Sequence, residues 1–363
     1  MSYKVLALVI LSSLTVSQSF AQMHSEHILA TEAADIDRAT KIILKKLEDQ
    51  HREEPNLKIR RDAHPKTHGC VKAEFAVLPD IPNALKKGLF AEPRTYKAWI
   101  RFSNGLPPAS RADRSPDARG MAIKVMGVSG PKILDNDEKE TQDFVMINYP
   151  AFIVGNVKDY IAFRENKKLF LLTHPHEAFV AISTAAQLTR NPLQISYWSQ
   201  SPFLVGSDLA AKFKAKAVGC DGHDLPTDPF PNLLDENYLQ HAMTESLSKS
   251  DACYEFQIQP QIDPVKTPIE DSTISWDDAG APYFTVAHLR IRQNGNDGFL
   301  GEGNKERTQF CEDISYTPWH ALAEHRPLGG INRSRKAAYK AVSDLRHRVN
   351  DTKIFEPSGN EAF

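Results

Sequence analysis

The sequence lacks an excess of either charge. Its 44 Lys and Arg stand against 46 Asp and Glu, a formal net charge of −2 over 363 residues. No basic patch is available to neutralise phosphates, so nucleic-acid binding is set aside. Past the N-terminus it lacks any stretch apolar enough to span a bilayer. Its four cysteines, Cys70, Cys220, Cys253 and Cys311, include no CxxC or other metal-type spacing. Internal repeats and low-complexity segments are also missing. What remains, with 41% hydrophobic and 25% charged residues, has the composition of an ordinary globular protein.

The N-terminus has its own character. Lys4 closes a short positive region, Val5 to Leu14 is apolar but too short to cross a membrane, and Ser19 and Ala21 place small residues where a signal peptidase reads them. A signal peptide over 1–21 is expected, with export to the periplasm or beyond and a single folded domain over 22–363. Export permits disulfides. The spacing chooses neither among three full pairings nor between those and buried free thiols.

Hydrophobic patterning predicts helices over Thr31–Arg52, Ile81–Phe90, Asp159–Asn166, His176–Arg190, Asp235–Ser248 and Arg333–Asn350. It predicts strands over Val71–Leu78, Tyr96–Phe102, Gly120–Val128, Asp143–Ile147, Lys212–Val218, Cys253–Gln261 and Tyr283–Gln293. Leu106–Arg119, Leu225–Leu234 and Asn294–Arg307 read as loops. Strands spread along the whole chain, with helices inserted and at the ends, imply an α+β fold around a barrel or a large antiparallel sheet.

In the last predicted helix Arg335 and Tyr339 lie about one turn apart on one face. A guanidinium beside a phenol favours the phenolate, which is a hard ligand for ferric iron. Tyr316 is the competing tyrosine. It has no Arg one turn before it, and Glu312 stands there instead, a charge that raises a phenol pKa.

Five blocks then carry a resemblance. Arg61-Asp-Ala-His64-Pro-Lys66-Thr-His-Gly69 resembles the Arg-x-x-His-x-Lys-x-x-Gly segment of haem catalases. Trp99-Ile-Arg101-Phe102-Ser103 resembles the Val-Arg-Phe-Ser strand of that family, and Asp117-Ala-Arg119-Gly120-Met-Ala-Ile-Lys124 its Asp-x-Arg-Gly-Phe-Ala-x-Lys. The stretch Asp143 to Phe152 resembles the segment with the distal asparagine, and Arg335-x-x-x-Tyr339 fits the proximal motif. The blocks fall in family order and cover most of Arg60 to Arg348. The chain is shorter than an ordinary catalase and looks like a compact, exported, catalase-like branch.

The resemblance implies a catalase-like antiparallel β-barrel with surrounding helices, and a C-terminal helix that carries the proximal tyrosine. It implies haem b, with Tyr339 as the iron ligand and Arg335 holding it ionised. His64 would be the general base, and Ser103 would fix its tautomer. Arg61, Arg101 and Arg346 would pair with the propionates. Phe152 would stack on the porphyrin, Tyr160 would line the distal side, and Asp117 would sit in the access channel. The implied substrate is hydrogen peroxide or a small organic peroxide; the electron donor and oligomeric state stay open. Fatty-acid hydroperoxide isomerisation, as in catalase-like allene oxide synthases, and haem binding with little turnover are the alternative readings.

Two departures qualify this. Ile147 stands at the place of the family's catalytic asparagine, with Asn148 one residue later. On a strand that offset turns the side chain to the opposite face. Either a bulge re-aims Asn148 as the catalytic amide, or the distal amide is absent. The family's Val before the distal histidine is Ala63 here, which opens space for larger peroxides.

Overall fold

The computed structural model describes residues 26–277, 279–293 and 305–361. The expected signal peptide and most of the Asn294–Arg307 loop lie outside the described residues. The strands are β1 (Thr67–Val77), β2 (Thr95–Asn104), β3 (Arg119–Met126), β4 (Thr141–Ile147), β5 (Tyr197–Trp198), β6 (Phe203–Val205), β7 (Leu209–Val218), β8 (Ala252–Pro260) and β9 (Phe284–Ile291). All neighbours are antiparallel, in the order β5-β4-β3-β2-β1-β9-β8-β7-β6. The two-residue β5 closes the ring, because Trp198 pairs with Ile147 of β4 and with Lys214 of β7. Eight strands thus form a closed antiparallel barrel, and β6 adds a short ninth beside β7. Closure leaves no long edge open to pairing with other chains.

Alternation fills the barrel. Ile100 and Phe102, Met121 and Ile123, Phe144 and Met146 all point inward and are at most 2% exposed. They join Phe75, Phe90, Phe213 and Phe256 in one core. Phe144 and Phe256 pack in a tilted pair with ring centroids 4.6 Å apart, a spacing at which aromatic pairs add to burial.

The helices α1 (Glu32–Glu53), α2 (Val157–Glu165), α3 (Lys167–Thr173), α4 (Pro175–Ala185), α5 (Tyr238–Lys249), α6 (Lys305–Asp313) and α7 (Gly330–Asn350) surround it. α1 and α7 pack through Ile43 and Leu47 against Ala338, Val342 and Leu345. Arg333 anchors the start of α7 by ion pairs to Glu26, Glu32 and Glu270. Asn166 ends α2 and caps α3 by accepting from the Leu169 N–H at 3.1 Å.

The α+β barrel expected from the sequence is the one found. The helix expected over Ile81–Phe90 is instead two short 3₁₀ turns, Asn83–Leu85 and Gly88–Phe90. Gly88 has φ +52, and a Cβ there would meet His325 at 2.5 Å. The Leu89 N–H donates to His325 Nε2 at 3.0 Å, so tertiary contact overrides helical continuity. The cysteines form two disulfides, Cys70–Cys311 and Cys220–Cys253. No helix among the described residues is long and apolar enough to cross a membrane.

Candidate functional site

The site begins with strand parity. Cross-strand partners share a face, and Arg101↔Ala122↔Val145 and Ser103↔Gly120↔Ile147 align β2, β3 and β4. Since their neighbours fill the barrel, these six look outward. Arg101, Ser103 and Gly120 are buried, while Ala122, Val145 and Ile147 are only half-buried.

His64 lies against this face. A Cβ on Gly120 would stand 2.4 Å from His64 Nδ1 and 2.8 Å from Ser103 Oγ. The imidazole therefore occupies space that only glycine leaves. Its Nδ1 lies 3.1 Å from Ser103 Oγ, and Arg101 Nη2 donates to its carbonyl at 2.8 Å. His64 has φ +59, a left-handed backbone that is uncommon outside glycine and concentrates at functional sites. Burial, with the charges of Arg101, Arg335 and Arg61, lowers its pKa to about 3. The ring is a neutral base at physiological pH. Ala63 beside it is exposed.

Next to it is a basic cluster around Glu312. Arg61 Nη1 donates to Glu312 at 2.7 Å, and its Nη2 donates to the carbonyls of Cys311 and Ile314. Arg101 Nε and Nη2 donate to Glu312 Oε1 at 3.1 and 2.9 Å. Thr67 Oγ1 donates to the same carboxylate, and Arg346 donates to the Glu312 carbonyl. Two guanidiniums thus share one carboxylate, with Arg60 at 3.6 Å and Arg346 on the backbone carbonyl of the same residue. The charge does not balance. Burial, together with Arg101 and Arg346, pulls Arg61 down to about 9 despite Glu312. Arg346 Nε is buried without a hydrogen-bond partner among the described residues. Such a cluster could take a further anionic group.

The Cys70–Cys311 bridge builds this cluster. Cys70 is the direct cross-strand partner of Arg101, so tying Cys311 to Cys70 sets the next residue, Glu312, against Arg101. Sequence reasoning weighed Glu312 only as a charge disfavouring Tyr316. The placement depends on a closure across 241 residues, which no local pattern reveals.

α7 supplies the other side. Arg335 and Tyr339 share a half-buried face. The Arg335 guanidinium lies 5.2 Å from the Phe152 ring centroid and donates to Asn332 Oδ1 at 3.1 Å and Gln200 Oε1 at 3.5 Å. It is turned to these partners rather than bonded to Tyr339. Phe152 and Tyr160 lie 6.5 Å apart. Tyr160 packs with Tyr339 against the apolar cluster between α1 and α7, so it stands on the α7 side rather than with His64. Burial raises its pKa to about 12. Tyr316 stands apart from Tyr339, beneath the Arg61 guanidinium 6.0 Å from its ring centroid; it packs on Cys70, Trp99 and Cys311, and burial, with the Asp143 charge, pushes its phenol far up.

Two expected site residues do other work. The β3–β4 ladder runs without a bulge from Met126↔Thr141 to Gly120↔Ile147, so nothing re-aims Asn148. Its Oδ1 accepts from the Arg119 N–H at 2.8 Å, and its Nδ2 donates to the Thr184 carbonyl at 3.3 Å. The amide faces α4, and Ile147 takes the position beside His64. Asp117, expected in a channel, is 0% exposed. Its carboxylate accepts from the Leu106 N–H at 3.0 and 3.1 Å and closes a turn.

A third cluster resembles a metal centre by composition: Glu138, Asp143 and His320, all buried and close together. Lys124 Nζ stands among them, bonded to Glu138 and to Asp143 at 2.9 Å, with His320 Nδ1 3.2 Å away. The lysine ammonium already supplies the cation.

This architecture is that of the catalase fold. A bacterial catalase superposes with a TM-score of 0.61 at 15% identity, over 84% of this chain and 60% of that one. A fungal catalase gives 0.61 at 16% identity, over 94% and 70%. Catalase A from Saccharomyces cerevisiae gives 0.63 at 16% identity, over 95% and 73%. The likeness is one of fold, and the chain spans about three fifths of the bacterial catalase. No family model and no curated protein matches the sequence.

Proposed function

We propose that this chain is an exported haem b oxidoreductase that decomposes peroxides, hydrogen peroxide or small organic ones, as a defence against oxidative stress. The observation that carries the reading is a meeting of unlike groups on one outer sheet face. A neutral, backbone-strained histidine bonded to Ser103 stands beside arginines whose charge one carboxylate does not balance. The catalase fold supports it, and two disulfides suit an oxidising compartment.

The residues present fit haem. A dianionic macrocycle answers the excess of Arg61, Arg101 and Arg346 and the partnerless Arg346 Nε. Ala122 and Val145, whose side chains are short, would leave room for it beside His64, which itself fills the space over Gly120. Tyr339 would ligate the iron, with Arg335 one turn before it on the same face. Phe152 and Tyr160 would flank the ring. Bound haem would supply the iron that takes up the oxidising equivalents of the peroxide.

His64 then carries the proton. Ser103 engages Nδ1, so Nε2 takes a proton from one peroxide oxygen and returns it to the departing one. With Asn148 committed to Arg119 and α4, no amide assists. Peroxide orientation rests on His64, which favours peroxidase turnover with a reducing co-substrate over fast disproportionation. Exposed Ala63 leaves room for a larger peroxide.

The test is the absorption spectrum of the purified protein with haem. A Soret band with high-spin ferric features is expected, lost in Tyr339→Phe and kept in Tyr316→Phe. The reverse pattern would assign the ligand to Tyr316 and refute the arrangement. His64→Ala should keep haem and lose reaction with peroxide by roughly 10²-fold or more.

A further inference from the structure

Between Asn166 and Arg190 the chain leaves an apolar stripe uncovered. In α4, Pro175, Phe179 and Ile182 recur at i, i+4 and i+7, and Ala186 follows at i+11, which is one helical face. Phe179 is 62% and Ile182 68% exposed. The adjoining α3 adds Leu169 at 56% and Leu172 at 81%, and Leu188 follows at 50%. Single exposed apolar residues are ordinary, but five large ones within twenty positions mark an interaction surface. The opposite face of α4 is already used, because Val180 and Thr184 are buried and the Thr184 carbonyl accepts from Asn148.

Charge selects the occupant. From Asn166 to Arg190 the segment holds Lys167, Lys168 and Arg190, with Glu177 as its sole acidic residue. Lys167 and Lys168 are exposed, and neither has an acidic partner within salt-bridge distance among the described residues. Glu165, just before them, is held by Arg38 at 2.5 Å. A two-fold contact with a second copy would bring the same lysines together, with Glu177 alone to answer them. Anionic headgroups would satisfy them, while the apolar stripe enters the acyl boundary.

We propose that the α3–α4 segment docks on an anionic lipid bilayer. Leu169, Leu172, Phe179, Ile182 and Leu188 insert at the headgroup–acyl boundary, and Lys167 and Lys168 meet lipid phosphates. The inner side of the same helix holds Asn148, next to Ile147 of the site. The bilayer therefore lies about one helix diameter, ~10 Å, from the end of β4. The proposal requires neither haem nor peroxide turnover.

The experiment is flotation of the purified full chain with phosphatidylglycerol–phosphatidylcholine vesicles and with phosphatidylcholine vesicles, at low and high salt. Binding to the anionic vesicles is expected, falling by about tenfold or more in Leu172→Ser/Ile182→Ser and severalfold in Lys167→Glu/Lys168→Glu or high salt. Far-ultraviolet circular dichroism and thermal melting identify any variant that fails to fold; Phe179→Ser then replaces it. Three results overturn the proposal: no flotation on anionic vesicles, undiminished flotation of the serine variants, or a dimer by light scattering that those variants dissociate. The last assigns the stripe to a second copy.

Discussion

The two faces of β2, β3 and β4 differ more than distant parts of the molecule, although they alternate residue by residue. Inward, Ile100, Phe102, Met121, Ile123, Phe144 and Met146 offer only volume. Outward, Arg101, Ser103, Gly120, Lys124, Asp143 and Ile147 offer charge, a hydroxyl and an absent side chain. The inner face is limited by packing, and the outer by electrostatic balance and by the room His64 needs. One fold can therefore be kept while its chemistry changes, because substitutions on one face leave the other in register.

The largest break belongs to the inner face. Phe144 is 2% exposed, stacks on Phe75, meets Phe213 edge to face and packs tilted against Phe256. Phe144→Ala should destabilise the chain by about 3–5 kcal/mol in denaturant unfolding. Folded molecules that remain should keep their full haem affinity. A fall in affinity at matched folded fraction would mean that the two faces are coupled.

Glu312→Gln probes the outer face. It removes the charge but keeps the size, and takes the paired carboxylate from Arg61 and Arg101. A loss of about 2–4 kcal/mol is expected without haem. If the cluster receives an anionic group, added haem should recover much of that loss; the same deficit with and without haem would remove the cluster from the site.

The third break is a pH scan. Burial and Lys124 push His320 down, but the carboxylates of Asp143 and Asp137 outweigh them and raise it to about 9. Unfolded, the ring titrates near 6.5. Its stabilisation is therefore complete below about pH 6.5 and is lost as pH rises through 9. Unfolding free energy should fall by roughly 2–3 kcal/mol across that window. His320→Asn should flatten the slope, and a wild type equally stable at both ends would show the network uncharged.

The unequal legibility of the sequence has physical causes. Strands β1 to β4 and β7 to β9 alternate over seven residues or more, so their existence could be read. β5 has two residues, Tyr197 and Trp198, too few to show any period, yet it closes the barrel. α3 is seven residues long and starts where α2 stops, too short to show a helical period, so no helix was expected there. His64 and Ser103 were readable because each sits in a motif. Glu312 was not readable as part of the site, since its arginines come from Arg61, Arg101 and Arg346, and the Cys70–Cys311 bond brings them together. The offset between Ile147 and Asn148 was visible, but its consequence depended on whether the β3–β4 ladder carried a bulge.

That offset gives the smallest expected change in stability and the sharpest change in chemistry. Ile147 is half-buried and pairs with Gly120, whose missing Cβ leaves room for the His64 ring. Ile147→Asn would put an amide on the His64 side without disturbing Asn148, which already holds Arg119 and α4. The lost apolar contact should lower stability by about 1 kcal/mol. In haem-loaded protein the ratio of hydrogen peroxide disproportionation to peroxidase turnover should rise severalfold, because a donor now stands beside the base. The control is Asn148→Asp. A carboxylate there would lose its donor bonds to the Thr184 carbonyl and Gln187 while leaving the His64 side untouched, so stability should fall and the ratio stay fixed. If instead Asn148→Asp shifted the ratio and Ile147→Asn did not, strand parity would have failed as a guide to which residue faces the peroxide.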